Sequence, residues 1–180
     1  MTKQTTQQAI LATLIGFSVP MAFAQQAAHC TYPGNARNPD NAYIIYNSGT
    51  VTDTRTDLMW DRCSWGQSGA ACDGLSASFN WSQMNEAVVA ANAQNYKGYS
   101  DWRVPNFDEI KTLVESCRMN PAINNNVFPN TPPNWYWSMP VVPTEVEDTA
   151  GVYFFDGYAY GYGHRNNQGF GRIRLVRDAR

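Results

Sequence analysis

The chain has 180 residues, of which 43% are hydrophobic and 16% are charged, and its formal net charge is −2. This profile is typical of one soluble globular domain, so a second domain is not expected. The slightly acidic balance argues against a nucleic-acid partner, because nucleic acids are bound through an excess of Lys and Arg. Basic residues are nevertheless concentrated near the C-terminus, so a local basic patch for an anionic ligand stays open as an alternative. These residues are Arg165, Arg172, Arg174, Arg177 and Arg180.

Residues 1–24 predict a secretory signal peptide. An apolar run follows Lys3 and ends in the small-residue pattern Ala-Phe-Ala. Because the run is short and contains Gly16 and Pro20, we expect cleavage before Gln25 rather than a transmembrane anchor. The sequence therefore predicts an exported protein, periplasmic or extracellular, that does not insert into a membrane.

The mature part of the chain divides into two regions. Residues 25–41 are rich in Pro, Gly and Asn in their second half, which predicts an irregular N-terminal arm. Residues 42–180 have the mixed pattern of strands, helices and loops of a single domain.

All four cysteines lie in the mature part, and an even count in an exported chain predicts disulfides. Three pairings are open. A bridge between Cys63 and Cys72 closes a short loop rich in Gly and Ser and is the easiest ring to form. This pairing leaves Cys30 to tie the N-terminal arm to Cys117. A zinc site is the alternative, but there is no Cys-x-x-Cys pair and there are only two histidines, so neither a metal nor another cofactor is expected.

The first half of the domain begins with short strands. Residues Ala42–Tyr46 predict one strand, and Val51–Asp53 with Leu58–Trp60 predict a hairpin. Leu58 and Trp60 point to the same face of their strand, and we expect that face to be core.

Two helices follow the hairpin. Asn80 can cap the first helix with Gln83 at the capping-box position, and the apolar pattern then continues to about Ala93. Pro105 forces the second helix to begin after it, since proline is tolerated only in the first turn. With Asn106 as its cap, the second helix is predicted from Phe107 to about Ser116.

The segment just before the second helix contains a candidate structural motif. We expect Trp102 to fill the core while Asp101 and Arg103 hold the loop through local hydrogen bonds, with Pro105 fixing the helix start. Isolated Asp and Arg residues of this kind mostly orient backbone, so no catalytic role is assigned to them.

The C-terminal part predicts the remaining strands. A strand begins at Trp135–Trp137, and a two-residue turn at Asp156-Gly157 joins Val152–Phe155 to Tyr158–Gly161. That turn would pair Phe155 with Tyr158 and Tyr153 with Tyr160, which places four aromatic rings on one face. Arg172–Arg177 is predicted to close the sheet, with Ile173 and Leu175 on one face and Arg172 and Arg174 on the other.

The aromatic hairpin and the loop after it form the candidate binding site, because only one face of the hairpin can be core and the aromatic face can then lie at or near the surface. Aromatic rings stack on sugar rings, while amides and an arginine satisfy hydroxyl or sulfate groups. The alternative is that this face is buried against another strand or subunit. The candidate ligand-binding residues are Tyr153, Tyr158, Tyr160, Tyr162, His164, Arg165, Asn166 and Asn167.

Enzyme activity is not favoured by any motif. Gly98-Tyr99-Ser100 begins like a nucleophile elbow, but Trp102 stands where the tight turn needs glycine, and nothing ties His164 to Ser100 as a base. No pair of carboxylates stands out for glycoside hydrolysis, and no EF-hand calcium loop occurs. The expected function is therefore non-catalytic.

Residues 98–105, Gly-Tyr-Ser-Asp-Trp-Arg-Val-Pro, resemble the signature of a family of secreted bacterial domains. The family is named for the C-terminal domain of the Legionella collagen-like (Lcl) adhesin, and most members have no known function. The resemblance extends over about residues 51–177 through Thr56–Trp60, Tyr136–Ser138 and Arg174–Arg177. Asp57 stands where the family usually has glycine, and Asp tolerates the left-handed turn expected there.

The resemblance implies an α+β fold similar to the group of C-type lectins and the formylglycine-generating enzyme, with two helices packed on short antiparallel strands, rich in loops and stapled by disulfides. Catalysis in that enzyme group uses cysteines or copper, and it is not carried over because all cysteines are expected to be paired. The adhesin recognises sulfated glycans, which suggests the ligand class. The expected function is thus a secreted, adhesin-like module that binds polysaccharide or cell-surface glycan without calcium. The first alternative is a cell-envelope assembly module that forms homo-oligomers through its aromatic face, and the second is a hydrolase.

Overall fold

The structure is a computed structural model that describes residues 36–139, 150–160 and 169–180. Within these ranges, seven strands form two antiparallel sheets and are accompanied by two α-helices. The α+β class is therefore confirmed. The predicted signal peptide and most of the N-terminal arm lie outside the described residues.

The first sheet has four strands in the order β1-β2-β3-β7. They are β1 (Tyr43–Ile45), β2 (Thr50–Asp53), β3 (Leu58–Asp61) and β7 (Val176–Asp178). The predicted hairpin is confirmed as β2 and β3, and Asp57 in its turn has a left-handed φ of 54°. Both of these strands are buried on both faces, because one face contacts the second sheet's core and the other packs near helix α1.

The second sheet has three strands, β4 (Trp135–Ser138), β5 (Ala150–Tyr153) and β6 (Tyr158–Tyr160). The predicted two-residue turn between β5 and β6 is wrong, since Tyr153 pairs with Tyr158 across a four-residue loop. The loop is closed by the Gly157 N–H, which donates to the Tyr153 carbonyl at 2.8 Å. The β5–β6 ladder therefore ends two residues earlier on β5 than predicted, and Phe154, which is fully buried, lies in the loop.

The two helices begin where the sequence predicts. Capping boxes at Asn80 and Asn106 are both formed. A 3₁₀ turn follows Asn80 and leads into α1 (Met84–Ala93), whereas α2 (Phe107–Lys111) is shorter than predicted. Helix α2 stops because Glu115 donates its backbone N–H to the Ala122 carbonyl, which takes the chain into a bridge with the following loop.

The disulfide between Cys63 and Cys72 is confirmed. Cys117 is also disulfide-bonded, and Cys30, its predicted partner, lies outside the described residues. The end of the N-terminal arm is attached near Cys117 by hydrogen bonds. The buried Glu115 carboxylate accepts hydrogen bonds from the backbone N–H groups of Arg37 at 3.0 Å and Asn38 at 2.8 Å.

The segment from residue 171 to residue 178 joins the two sheets. Arg172 exchanges backbone hydrogen bonds with β4, from its N–H to the Trp135 carbonyl and from the Trp137 N–H to its own carbonyl. The Leu175 carbonyl then accepts from the N–H of Asp61 in β3, and β7 begins at Val176. Only the end of the predicted strand Arg172–Arg177 is a strand of the first sheet. Its first half pairs with β4 of the second sheet.

Arg174 lies at the centre of this segment and is fully buried. Its guanidinium donates to the Asp61 carbonyl at 3.0 Å, to the Arg62 carbonyl and to Thr131 Oγ1 at 2.7 Å, and it lies 4.8 Å from the Phe128 ring centroid. Burial lowers the pKa of this guanidinium. The alternative of a basic patch that includes Arg174 is therefore excluded.

The segment around Trp102 is held by hydrogen bonds to neighbouring elements. The Trp102 ring is buried, its Nε1 donates to the Tyr96 carbonyl at 2.8 Å, and the Asn92 side chain bonds both its N–H and its carbonyl. Arg103 donates through both terminal nitrogens to the Glu109 carboxylate at 2.7 and 2.8 Å. This contact joins the motif to the cap of α2.

Asp101 reaches further than predicted. Its carboxylate accepts hydrogen bonds from Arg177 Nε at 2.7 Å and Nη2 at 3.1 Å, and the Arg177 guanidinium lies 4.2 Å from the Tyr99 ring centroid. Arg177 is on β7, so the motif is fastened to the first sheet. The expectation of purely local hydrogen bonds is wrong here, because the partners are distant in the sequence.

Replacing Arg174 with Lys should lower the free energy of unfolding by about 2–4 kcal/mol, because a lysine cannot reproduce the forked donor geometry and leaves buried carbonyls unpaired. Urea denaturation followed by circular dichroism measures the change. The matched control is Arg180→Lys at an exposed position, where we expect a change below about 0.5 kcal/mol. Equal changes in the two variants would contradict the role given to Arg174.

The hydrogen bonds from Arg177 lower the pKa of the Asp101 carboxyl. The ion pair therefore adds stability above the carboxyl's ordinary pKa, and this stability is lost as the pH falls through the lowered, folded-state value. Carbon-13 NMR titration of the Asp101 carboxyl should give a pKa below the usual range. In Arg177→Gln the value should return toward it, and an unchanged titration would show that the ion pair does not form in solution.

Candidate functional site

The outer face of the second sheet is covered with aromatic side chains. Along β5 and β6, Val152 and Ala159 turn toward the core, so Tyr153, Tyr158 and Tyr160 turn outward. These three tyrosines are 38%, 61% and 49% exposed. We call the set Trp135, Tyr153, Phe155, Tyr158 and Tyr160 the aromatic face.

Four of the five rings of the aromatic face lie in two nearly parallel pairs. Tyr153 and Phe155 have centroids 5.9 Å apart with an angle of 26° between their planes, and Tyr158 and Tyr160 are 6.4 Å apart at 17°. Phe155 is 38% exposed. Rings held in this way present flat apolar surfaces with polar phenol edges to solvent.

Packed tryptophans support the aromatic face from one side. Trp135, Trp137 and Trp81 form a series of edge-to-face contacts with centroids 5.9 and 5.8 Å apart. A Cβ atom at Gly151 would lie 2.6 Å from the Trp135 ring, and one at Gly171 would lie 2.5 Å from Trp137 Nε1. Both glycines thus let the indoles lie directly on the backbone, which restricts the movement of the rings.

The candidate binding residues are only partly described. Tyr153, Tyr158 and Tyr160 lie together at the surface, so within the described chain the aromatic face is not covered by another strand. Tyr162, His164, Arg165, Asn166 and Asn167 lie outside the described residues. The described chain leaves β6 at Tyr160 and resumes at residue 169, so the remaining five candidates stay predictions.

The C-terminal arginines that the structure describes do not form a basic patch. Arg172 donates to the Ser76 carbonyl at 2.8 Å, Arg174 is buried, Arg177 is bonded to Asp101, and Arg180 pairs with Asp57. Their donors mainly satisfy carbonyls and carboxylates of the loops. Sequence position alone could not reveal this, because the acceptors lie far away along the chain.

Two clefts were not predicted from the sequence. One, of about 570 Å³, lies between the N-terminal arm and α2 and contains Arg37, Arg55 and Lys111. Arg55 is paired with the buried Asp53 and Lys111 with Asp108, so much of the positive charge in this cleft is already balanced. The other, of about 500 Å³, is a groove lined by Thr131, four prolines and three asparagines. Its asparagines are Asn120, Asn125 and Asn130.

The serine considered as a nucleophile has no elbow around it. Ser100 is exposed and lies in a loop after a 3₁₀ turn, not between a strand and a helix. His164 lies outside the described residues. Among the residues that are described, no three His, Cys, Asp or Glu side chains are grouped so that they could hold a metal ion. In the same ranges, no helix has the length and apolar character needed to cross a bilayer.

Comparison with known proteins agrees with the signature found in residues 98–105. No curated protein matches the chain. The model of one family, described as the Lcl C-terminal domain, matches residues 49–177. This span is most of the chain and includes strands β2 to β6, both helices and the Trp102 motif, so the protein belongs to the Lcl C-terminal domain family.

Proposed function

We propose that this protein is an exported, non-catalytic module that binds polysaccharide or cell-surface glycan without calcium, in the manner of an adhesin. The observation that carries the proposal is the aromatic face. Its tyrosines are held in parallel pairs and stay exposed, although burying them would be favourable. Large exposed apolar patches on a folded domain commonly mark interaction sites.

Sugar rings are a suitable ligand for such a surface. The C–H faces of a sugar stack on aromatic rings, and the hydroxyl groups at its edge can pair with phenols and amides. Trp135, one ring of this face, packs against Trp137 and lies on the backbone of Gly151, so it is held in place before binding, which reduces the ordering cost. The predicted residues Tyr162, His164, Arg165, Asn166 and Asn167 follow β6 in the chain and would extend the same site.

Export and the finer fold assignment belong to the same proposal. The bridge between Cys63 and Cys72 is compatible with an oxidising compartment, in which such disulfides persist. A leader over residues 1–24 would deliver the chain to the periplasm or the cell surface. The two antiparallel sheets with two helices are compatible with a C-type-lectin-like arrangement, a fold group in which loops on a rigid frame bind ligands.

The second candidate function is assembly, and the same observation favours it. An exposed aromatic patch on a sheet can bury itself against a second copy of the chain, since aromatic residues are enriched in protein interfaces. The two functions differ in what happens when the patch is disrupted. Loss of an oligomer would indicate assembly, whereas weaker glycan retention by an unchanged monomer would indicate glycan binding.

Replacing Tyr158 or Tyr160 with Ala should weaken retention on the glycans that the mature protein binds in a glycan array by about two- to tenfold, the value of one lost aromatic stacking contact. Size-exclusion chromatography should give the same elution volume for the wild type and both variants. The matched control is Tyr46→Ala, which removes a tyrosine that is 40% exposed at the end of β1, away from the aromatic face. Equal losses at Tyr46 and Tyr158 would contradict a site on this face.

A further inference from the structure

The groove containing Asn125 adjoins the aromatic face through the loop between β5 and β6. The Asn120 N–H donates to the Phe155 carbonyl at 2.7 Å, and the Phe154 N–H donates to the Asn134 carbonyl at 3.0 Å. Asn120 lines the groove and Asn134 directly follows its last proline, so both ends of the groove-lining chain are fastened to Phe154 and Phe155. The Phe155 ring stacks on Tyr153 of the aromatic face.

Among the residues that the structure describes, none that lines the groove has a charged side chain. Its polar groups are amides and the Thr131 hydroxyl, and its apolar surface comes from pyrrolidine rings. Arg174, behind the groove, donates to Thr131 at 2.7 Å and is itself fully buried. A sulfate in this groove would lose its hydration without gaining a counter-charge from the lining, which is unfavourable.

Asn125 contributes a hydrogen-bonding group without a partner. Its Oδ1 is buried and accepts no hydrogen bond within the described chain. An unpaired buried acceptor costs about 1–3 kcal/mol, so a turn of this partly exposed side chain that brings the oxygen to a donor in the groove is favoured. A sugar hydroxyl is both donor and acceptor, and it matches the primary amide, which also has both functions.

We infer that this groove is a second subsite, which takes an uncharged saccharide unit of the glycan whose neighbouring units stack on the aromatic face. The inference rests on the proposed function and specifies its ligand class as neutral oligosaccharide. The volume of about 500 Å³ is within the range of small-ligand sites. We expect a disaccharide to occupy the aromatic face alone and a longer oligosaccharide to reach both subsites, so ligands of different length distinguish the two.

The test uses the mature protein in affinity electrophoresis against neutral glucan, mannan, galactan and xylan and against dextran sulfate. A disaccharide and a hexasaccharide of the neutral polymer that retards it most are then titrated by calorimetry. We expect Asn125→Ala to weaken hexasaccharide binding about two- to tenfold, the value of one hydrogen bond, and to leave disaccharide binding unchanged. The matched control is Asn85→Ala on an exposed position of α1, which should change neither titration.

Each contrary result has a distinct meaning. If Tyr158→Ala weakens hexasaccharide binding and Asn125→Ala does not, the groove is not a subsite and the proposed function stands. If only dextran sulfate retards the protein, the neutral ligand class is wrong. If no polymer retards it, the subsite and the proposed glycan-binding function both fail. Thermal unfolding midpoints that match the wild type establish that a variant is folded.

Discussion

One buried arginine joins the end of the first sheet to the loop that leads into the second sheet. Arg174 lies in the segment that passes from β4 to β3, and its guanidinium bonds the end of β3 and the loop that precedes β4. A loop-rich chain has many backbone carbonyls that no ladder satisfies, and a forked donor can satisfy several of them at once. The inner face of the second sheet packs on the core, and its outer face is left to solvent.

The distribution of charge follows from the same arrangement. Arg103, Arg174 and Arg177 are used to fasten loops, helix caps and strands, so the described C-terminal region has little positive charge free for a ligand. The surface that remains available is aromatic on the sheet and amide- and proline-rich in the adjoining groove. Both are suited to an uncharged, hydroxyl-rich ligand, which differs in charge from the sulfated glycans that the family resemblance suggests.

Local patterns predicted much of this structure. Both capping boxes, the β2–β3 hairpin, the outward tyrosines and the bridge between Cys63 and Cys72 depend on neighbouring residues, so they could be inferred from spacing. The errors involve distant partners. The length of α2 depends on a bridge to a later loop, and the loop between β5 and β6 is itself bonded to that later loop through Phe154 and Phe155. The groove at Asn125 could not be predicted, because it is formed only when the loop of residues 120–134 packs beside the loop between β5 and β6.

The dependence of glycan affinity on salt tests the central claim, recognition of an uncharged sugar by the aromatic face, most directly. The polysaccharide that the mature protein binds is titrated at increasing sodium chloride concentrations, with a chelator present throughout to remove calcium. Stacking and neutral hydrogen bonds are not screened, so the account predicts an affinity constant within about twofold from 0.05 to 0.5 M salt. A fall of about tenfold or more over that range would show that charge dominates the recognition and would contradict the account.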